Sequence, residues 1–368
     1  MTKESPTSYL QSPLRIDYGK KELLRMNLNE NIVFPKNVMR SILAKCTDEY
    51  DPRVYPSAID EGDSIELNQQ IAKYCGCSAA SVAIGTGSDQ LIDLIFRMFV
   101  PKSSDTVLVV SPTFSMYSIF AQRQGSKLRE IWLGPSTAKD PFYLRLSSLK
   151  ESLKQKSVKL IVIVSPNNPT GIQYSIQQIQ EILESAQEKT VIVDEAYVEY
   201  ARYDASKQLM KSNSNLVLLR TFSKAFALAS LRLGYILSSN TEFIQRFNDN
   251  FQYPYPVTGL SISMGLELMR RKDVVLEWAQ KTKNFREELI SSLQKLGPAL
   301  HVMPRSDTNF VLVQANGAKK IAEELLTNYA IAVKYLPDLG KEKREFLRIT
   351  VGSAEANRKL LYALRRTA

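Results

Sequence analysis

Residues 160–171 read LIVIVSPNNPTG, and the first five of them decide the fold class. A strand with one wet face alternates apolar and polar side chains. An unbroken apolar run rich in Val and Ile instead reads as a strand covered on both faces, as in a parallel sheet between layers of helices. Three more runs have the same character: 106–110 (TVLVV), 190–193 (TVIV) and 215–219 (NLVLL). Helical patterns lie between them. Leu91, Leu94, Ile95, Met98 and Phe99 are spaced i, i+3, i+4, i+7, i+8, one stripe of a helix. Ser175 followed by Gln178 has the form of a capping box opening a helix with Ile179, Ile182 and Leu183. Residues 46–250 are therefore expected to form a large α/β domain, a mostly parallel central sheet with helices on both faces.

Beyond about residue 250 the rhythm changes. Residues 260–295 read as one long helical stretch; then come a strand at 308–313, a helix over 318–329, strands at 331–334 and 346–351, and a last helix from about 354 to 365. This is expected to be a smaller α+β unit, 251–368, with residues 1–45 packed beside it.

Composition removes several classes of function. The chain has 368 residues, 44% hydrophobic and 23% charged, which places it among ordinary globular proteins. One histidine, His301, leaves no His-x-x-x-His metal pair and one possible base for a Ser or Cys nucleophile, so no metal is expected. The net charge of +10 comes from basic residues interleaved with acids, as in Lys341-Glu342-Lys343-Arg344-Glu345, rather than from a stripe, which argues against nucleic acid. Three cysteines make no disulfide framework, and Cys75-Gly76-Cys77 reads as small thiols packed at a helix end. Residues 1–21 hold no apolar leader segment and no run of about eighteen apolar residues occurs, so no membrane span is expected and the protein is read as reduced and cytoplasmic.

Ligands of open parallel sheets bind outside the carboxyl ends of the strands. The candidate loops there are Gly85-Thr86-Gly87-Ser88-Asp89-Gln90, Ser111-Pro112-Thr113-Phe114, 165–171 (SPNNPTG), Asp194-Glu195-Ala196-Tyr197 and Arg220-Thr221-Phe222-Ser223-Lys224, with Arg232 eight residues on. Each alone has a plain structural reading. The glycine turn resembles a dinucleotide fingerprint, but Gln90 stands where the third glycine would be, so it supports only a phosphate at a helix start. Asp194 could be a helix cap and Lys224 a surface lysine. Together they supply phosphate donors, an aromatic, an Asn, an Asp, a Tyr and a Lys at one sheet edge. That inventory suits pyridoxal 5'-phosphate (PLP).

The chain resembles the fold-type I, PLP-dependent aminotransferases, and within them is most similar to histidinol-phosphate aminotransferases. The resemblance rests on Leu28-Asn29-Glu30-Asn31, Tyr55-Pro56, GTGSD, SPTFSMY, SPNNPTG, VDEAY, LRTFSKAFALASLRLGY, PYPV and LRITVG, spread in order from about residue 27 to 352. It implies that Lys224 carries the cofactor covalently and then moves a proton at the substrate α-carbon. It implies that Asp194 pairs with the pyridine nitrogen, that Tyr197 and Asn168 hydrogen-bond the ring oxygen, and that Phe114 stacks on the ring. Ser88, Asp89, Thr221, Ser223 and Arg232 would hold the phosphate, with Tyr55 reaching it from a neighbouring subunit of a homodimer. Arg348 would grip the substrate carboxylate. Where the histidinol-phosphate enzymes place a second arginine, the nearest candidate is Lys334; Tyr18, Asn29 and Tyr255 are further pocket candidates. The function implied is transfer of an amino group from L-glutamate to a small phosphorylated carbonyl compound, imidazole-acetol phosphate first. The alternative is decarboxylation of a phosphorylated amino acid, as in threonine-phosphate decarboxylases; a binding protein that only retains the fold is a third class, opposed by Lys224 and Asp194 together.

Overall fold

Two sheets organise the computed structural model, which describes residues 23–48, 50–135, 142–337, 339 and 344–367. In chain order the strands are β1 (Leu24–Met26), β2 (Val82–Gly85), β3 (Thr106–Ser111), β4 (Lys127–Trp132), β5 (Val158–Val164), β6 (Thr190–Asp194), β7 (Leu216–Thr221), β8 (Gly234–Leu237), β9 (Leu300–Val302), β10 (Phe310–Ala315), β11 (Ile331–Leu336) and β12 (Phe346–Thr350). The larger sheet has the order β2-β8-β7-β6-β5-β3-β4, the smaller β1-β11-β12-β10-β9. In the larger sheet β4, β3, β5, β6 and β7 are mutually parallel, and β8 is antiparallel to both of its neighbours.

The unbroken apolar runs are explained by the two layers that cover this sheet. Val107, Val109, Leu160, Val162, Ile192 and Val217 face one hydrophobic cluster; Leu108, Val110, Ile161, Ile163, Val191, Val193 and Leu218 face the other. Every one of them is buried, and each Val, Leu or Ile removed from water contributes about 1.5–3 kcal/mol before chain entropy is counted. The capping box at Ser175 forms as expected, with both reciprocal bonds to Gln178. Cys75 is buried at the end of the helix Gly62–Cys75, and the three thiols make no disulfide.

Some elements depart from the sequence reading. In the helix Gly87–Phe99 the buried face includes Ile92 and Phe96, while Met98 and Phe99 are only half-buried. That helix packs on the sheet and also against the helix Met116–Arg123, so its covered face is wider than one stripe. The stretch 260–295 is two helices, Gly259–Arg270 and Lys272–Gln294, which break at Arg271. No Gly or Pro marks the break. The buried carboxylate of Glu267 collects Arg271 at 2.7 Å and Lys45 at 2.9 Å there. Strands β1, β2, β4, β8 and β9 carry too short or too polar a pattern to stand out.

Candidate active site

Parallel strands open their carboxyl ends on one edge, and β2, antiparallel to an antiparallel neighbour, runs with them. A cavity of about 220 Å³ lies on that edge. It is lined by Asn29, Ser88, Asp89, Phe114, Asn168, Asp194, Tyr197, Thr221, Ser223, Lys224, Arg232 and Arg348 among others, so the structure brings together residues separated by more than three hundred positions. A larger cavity of about 1200 Å³ beside Leu24 and Tyr362 borders the same region through Ser223. Chemistry rather than volume selects the smaller one.

At its floor Asp194 ends β6 and is buried. Its Oδ2 accepts from the Tyr117 hydroxyl at 2.7 Å and its Oδ1 from the Ala196 amide at 2.9 Å. Burial pushes the carboxyl up to about 6, against the pull of those two donors; Asp89 raises it further and Lys224 lowers it. Lys224 follows β7. Its Nζ donates to the Leu28 carbonyl at 3.3 Å and lies 5.7 Å from the centre of the Tyr197 ring. Burial, with Arg348 and Arg232 nearby, brings this ammonium down to about 8, while Glu30 and Asp89 oppose the shift.

The anion-seeking corner is built from backbone. Gly87, at φ +70, opens the helix Gly87–Phe99, and a Cβ there would stand 2.7 Å from Arg232 Nη2. Gly234 lets β8 approach equally closely, since its Cβ would meet the Gly87 carbonyl carbon at 2.8 Å and the Ser88 nitrogen at 2.9 Å. Arg232 adopts left-handed backbone (φ 51), which costs a residue with a side chain about 1–2 kcal/mol. Its guanidinium reaches Asp89 Oδ2 at 3.1 Å and Ser223 Oγ at 3.4 Å. The Ser223 hydroxyl in turn lies 3.0 Å from that of Thr221.

At the opposite end, the smaller sheet supplies Arg348 from β12. Its Nη1 donates to Asn168 Oδ1 at 2.6 Å and its Nη2 to the Asn27 carbonyl at 2.8 Å. Asn29 donates from Nδ2 to the Tyr197 hydroxyl at 2.9 Å. The two asparagines of SPNNPTG separate here. Asn167 holds the loop, donating to the Pro112 carbonyl and Thr170 hydroxyl and accepting from Thr113, whereas Asn168 faces the cavity.

Three sequence candidates with described positions, Tyr55, Tyr255 and Lys334, are not part of this cavity's lining. Tyr55 is 80% exposed and stacks on Tyr255, with ring centres 5.0 Å apart. Lys334 pairs with Arg348 across the β11–β12 ladder, where burial and Arg348 lower its ammonium, but it is not part of the lining. Tyr18 lies outside the described residues. Tyr117 was missed as an individual residue. The signal for it was its place in SPTFSMY, three residues after Phe114: Phe114 lies just before the helix Met116–Arg123, Tyr117 in its first turn, and their rings meet edge to face with centres 6.3 Å apart.

The chain belongs to the family "Aminotransferase class I and II", whose model matches residues 26–364; it is an aminotransferase. It is 33% identical over 317 residues to a protein named histidinol-phosphate aminotransferase 1 from Legionella pneumophila (strain Lens), covering 86% of this chain and 84% of that one. The fold is that of histidinol-phosphate aminotransferase from Sinorhizobium meliloti, solved in complex with pyridoxal-5'-phosphate (TM-score 0.81, 22% identity, 94% of this chain and 90% of that one). L-threonine-O-3-phosphate decarboxylase from Porphyromonas gingivalis shares it too (TM-score 0.76, 18% identity, 94% and 99%). Among the described residues no helix is long and apolar enough to cross a membrane.

Proposed function

We propose that the chain is a PLP-dependent aminotransferase that moves an amino group between L-glutamate and a small phosphorylated carbonyl compound, with imidazole-acetol phosphate as first acceptor. The observation that carries the reading is one cavity holding Lys224, Asp194 and Arg348 together. The residues fit the cofactor on physical grounds. A buried carboxylate that, among the described residues, accepts from a hydroxyl and an amide and has no cation bonded to it matches a protonated pyridine nitrogen, and a corner of amides, hydroxyls and Arg232 matches a phosphate. Asn168 accepts from Arg348 on its oxygen, so its amide N–H is the group turned to donate to the ring oxygen, beside Tyr197.

Bound there, PLP supplies a carbonyl to condense with amines and a ring that takes up the electron pair left on the substrate α-carbon. Lys224 holds the cofactor. As a free amine it would carry the proton between the substrate α-carbon and C4′, the former carbonyl carbon of the cofactor; lowered to about 8, it is basic enough to do so near neutral pH. Asp194 keeps the ring nitrogen protonated, Phe114 covers one ring face, and Arg348 orients the donor carboxylate through its fork. Residues 46–250 are read as the cofactor-binding unit, and 251–368 as a long interdomain helix and a smaller α+β unit, beside which the described part of the N-terminal segment packs through β1 on β11. The exposed Tyr55–Tyr255 stack supports a homodimer in which Tyr55 reaches the neighbouring site, and the three reduced thiols suit the cytoplasm.

The substrate is tested by supplying L-histidinol phosphate with 2-oxoglutarate, and separately O-phospho-L-threonine. The proposal expects L-glutamate from the first and no carbon dioxide from the second; carbon dioxide from phosphothreonine without glutamate formation would establish the decarboxylase instead. A narrower expectation concerns Tyr117→Phe. Without that hydroxyl Asp194 loses a donor that lowers its pKa, so more of it is protonated at pH 7 and it pairs less well with the ring nitrogen. A hydrogen bond to a charged group is worth about 1.5–3 kcal/mol, so kcat should fall about 10- to 100-fold with KM little changed. The acid limb of the kcat–pH profile should move upward, with Asp89 and Lys224 the other charges acting on Asp194. An unmoved limb would show that Tyr117 only packs.

A further inference from the structure

The connection that follows the helix Thr241–Asn250 runs past the start of the helix Gly87–Phe99, and two side-chain amides stitch them together. Gln252 donates from Nε2 to the Ile84 carbonyl at 2.9 Å. Its Oε1 accepts from Gln90 Nε2 at 3.1 Å and from the Tyr253 amide at 2.9 Å. Gln90 in turn accepts from the Thr86 amide at 2.7 Å. The Thr86 hydroxyl donates to the Pro256 carbonyl on the same connection.

This arrangement changes what the helix start can bind. Thr86 occupies the N-cap position, where a threonine hydroxyl ordinarily bends over to accept from an amide of the first turn. Here it makes no such bond, because it is engaged with Pro256. The cap therefore leaves the first-turn amides to another acceptor. Loop 84–90 keeps this shape because Gln90 holds its Thr86 end and Gln252 its Ile84 end.

We infer that Gln90 and Gln252 are positioning residues for the phosphate end of the site: they hold Thr86 turned away from its own helix so that the amides at Ser88 and Asp89 receive the cofactor phosphate. The inference rests on the PLP reading above. Neither glutamine lines the cavity, so both act through the loop backbone. Because Gln252 belongs to the segment that carries the exposed Tyr253 and Tyr255, the same amides tie the phosphate loop to that aromatic face.

The test compares two ligands on protein stripped of cofactor: PLP, and pyridoxal, which lacks only the phosphate. Dissociation constants are read from quenching of protein fluorescence, without reference to activity. Gln252→Leu should weaken PLP about tenfold or more, the size of one or two hydrogen bonds, and leave pyridoxal unchanged. Gln90→Leu should do the same, and the double variant should be little worse than either, since the two amides act as one unit. Gln252→Glu keeps both acceptor contacts but sets a carboxylate oxygen against the Ile84 carbonyl, and should weaken PLP at least as much as Gln252→Leu while leaving pyridoxal unchanged. If Gln252→Leu does not fold, Gln90→Leu and Gln252→Glu carry the same comparison. Equal weakening of PLP and pyridoxal would reduce the glutamines to general structural residues, and unchanged PLP binding would remove the inference outright. Wild-type protein that binds pyridoxal as tightly as PLP would instead overturn the cofactor reading on which the inference stands.

Discussion

Replacing Lys224 with alanine should lower turnover by about 10²- to 10⁴-fold through loss of the proton-transferring base alone, and further because the covalent hold on the cofactor goes with it. The expectation follows from placement. Lys224 is the lysine that lines the cavity; it is half-buried beside Tyr197 and Arg348, and its pKa is brought down to about 8. The substitution removes a side chain that donates a long hydrogen bond to the Leu28 carbonyl at 3.3 Å, so the fold should survive. Thermal unfolding of Lys224→Ala close to that of wild type, with turnover gone, is the expected pair of results. Turnover within tenfold of wild type would show that another group moves the proton.

The second large effect is on stability. Behind the cavity Arg220 is buried on β7, with Nε and Nη2 on Glu195 Oε2 at 2.9 and 2.7 Å, Nη2 also on Asp204, and Nη1 on Cys75 Sγ at 3.4 Å. Side chains alternate along a strand, so Asp194 and Glu195 point to opposite sides, as do Arg220 and Thr221. The Arg220–Glu195 pair thus bolts the ends of β6 and β7 from beneath while Asp194 and Thr221 face the cavity. Arg220→Met should cost about 3–5 kcal/mol, the cost of leaving a buried carboxylate without its cation, read as a fall in the urea midpoint.

The pH dependence of that loss is fixed in sign. Burial already raises the Glu195 carboxyl to about 7 although Arg220 pulls it down, and removing Arg220 raises it further. A carboxyl raised on folding favours the native state below its unfolded value, and that contribution is lost as pH climbs through the folded value. The deficit of Arg220→Met should therefore be larger at pH 8 than at pH 5. Adding Glu195→Gln should recover part of it. A single variant as stable as wild type at pH 8 would contradict the account of this pair.

How much of this was legible in the sequence follows from burial. Strands β3, β5, β6 and β7 are covered on both faces, so their apolar runs announce them. Strand β4 (KLREIW) is an edge strand with mostly exposed side chains and carries no pattern to read. The site was legible because an open parallel sheet collects its exit loops, so residue types in order along the chain became neighbours in space. What order cannot provide is which face a side chain takes. Asn167 and Asn168 are adjacent and identical in type, yet Pro112, Thr113 and Thr170 hold one while the other faces the cavity. Tyr117 and Gln252 are likewise set by contacts across 77 and 162 positions, to Asp194 and Gln90.

The central claim is that Lys224 and Asp194 form a PLP site that takes the amino group of L-glutamate. The most direct measurement is the visible spectrum of the purified holoprotein before and after L-glutamate, with evolved carbon dioxide monitored. The account predicts loss of the yellow absorption, growth of the pyridoxamine phosphate band and no carbon dioxide. An unchanged yellow band, or carbon dioxide released in step with its loss, would contradict it.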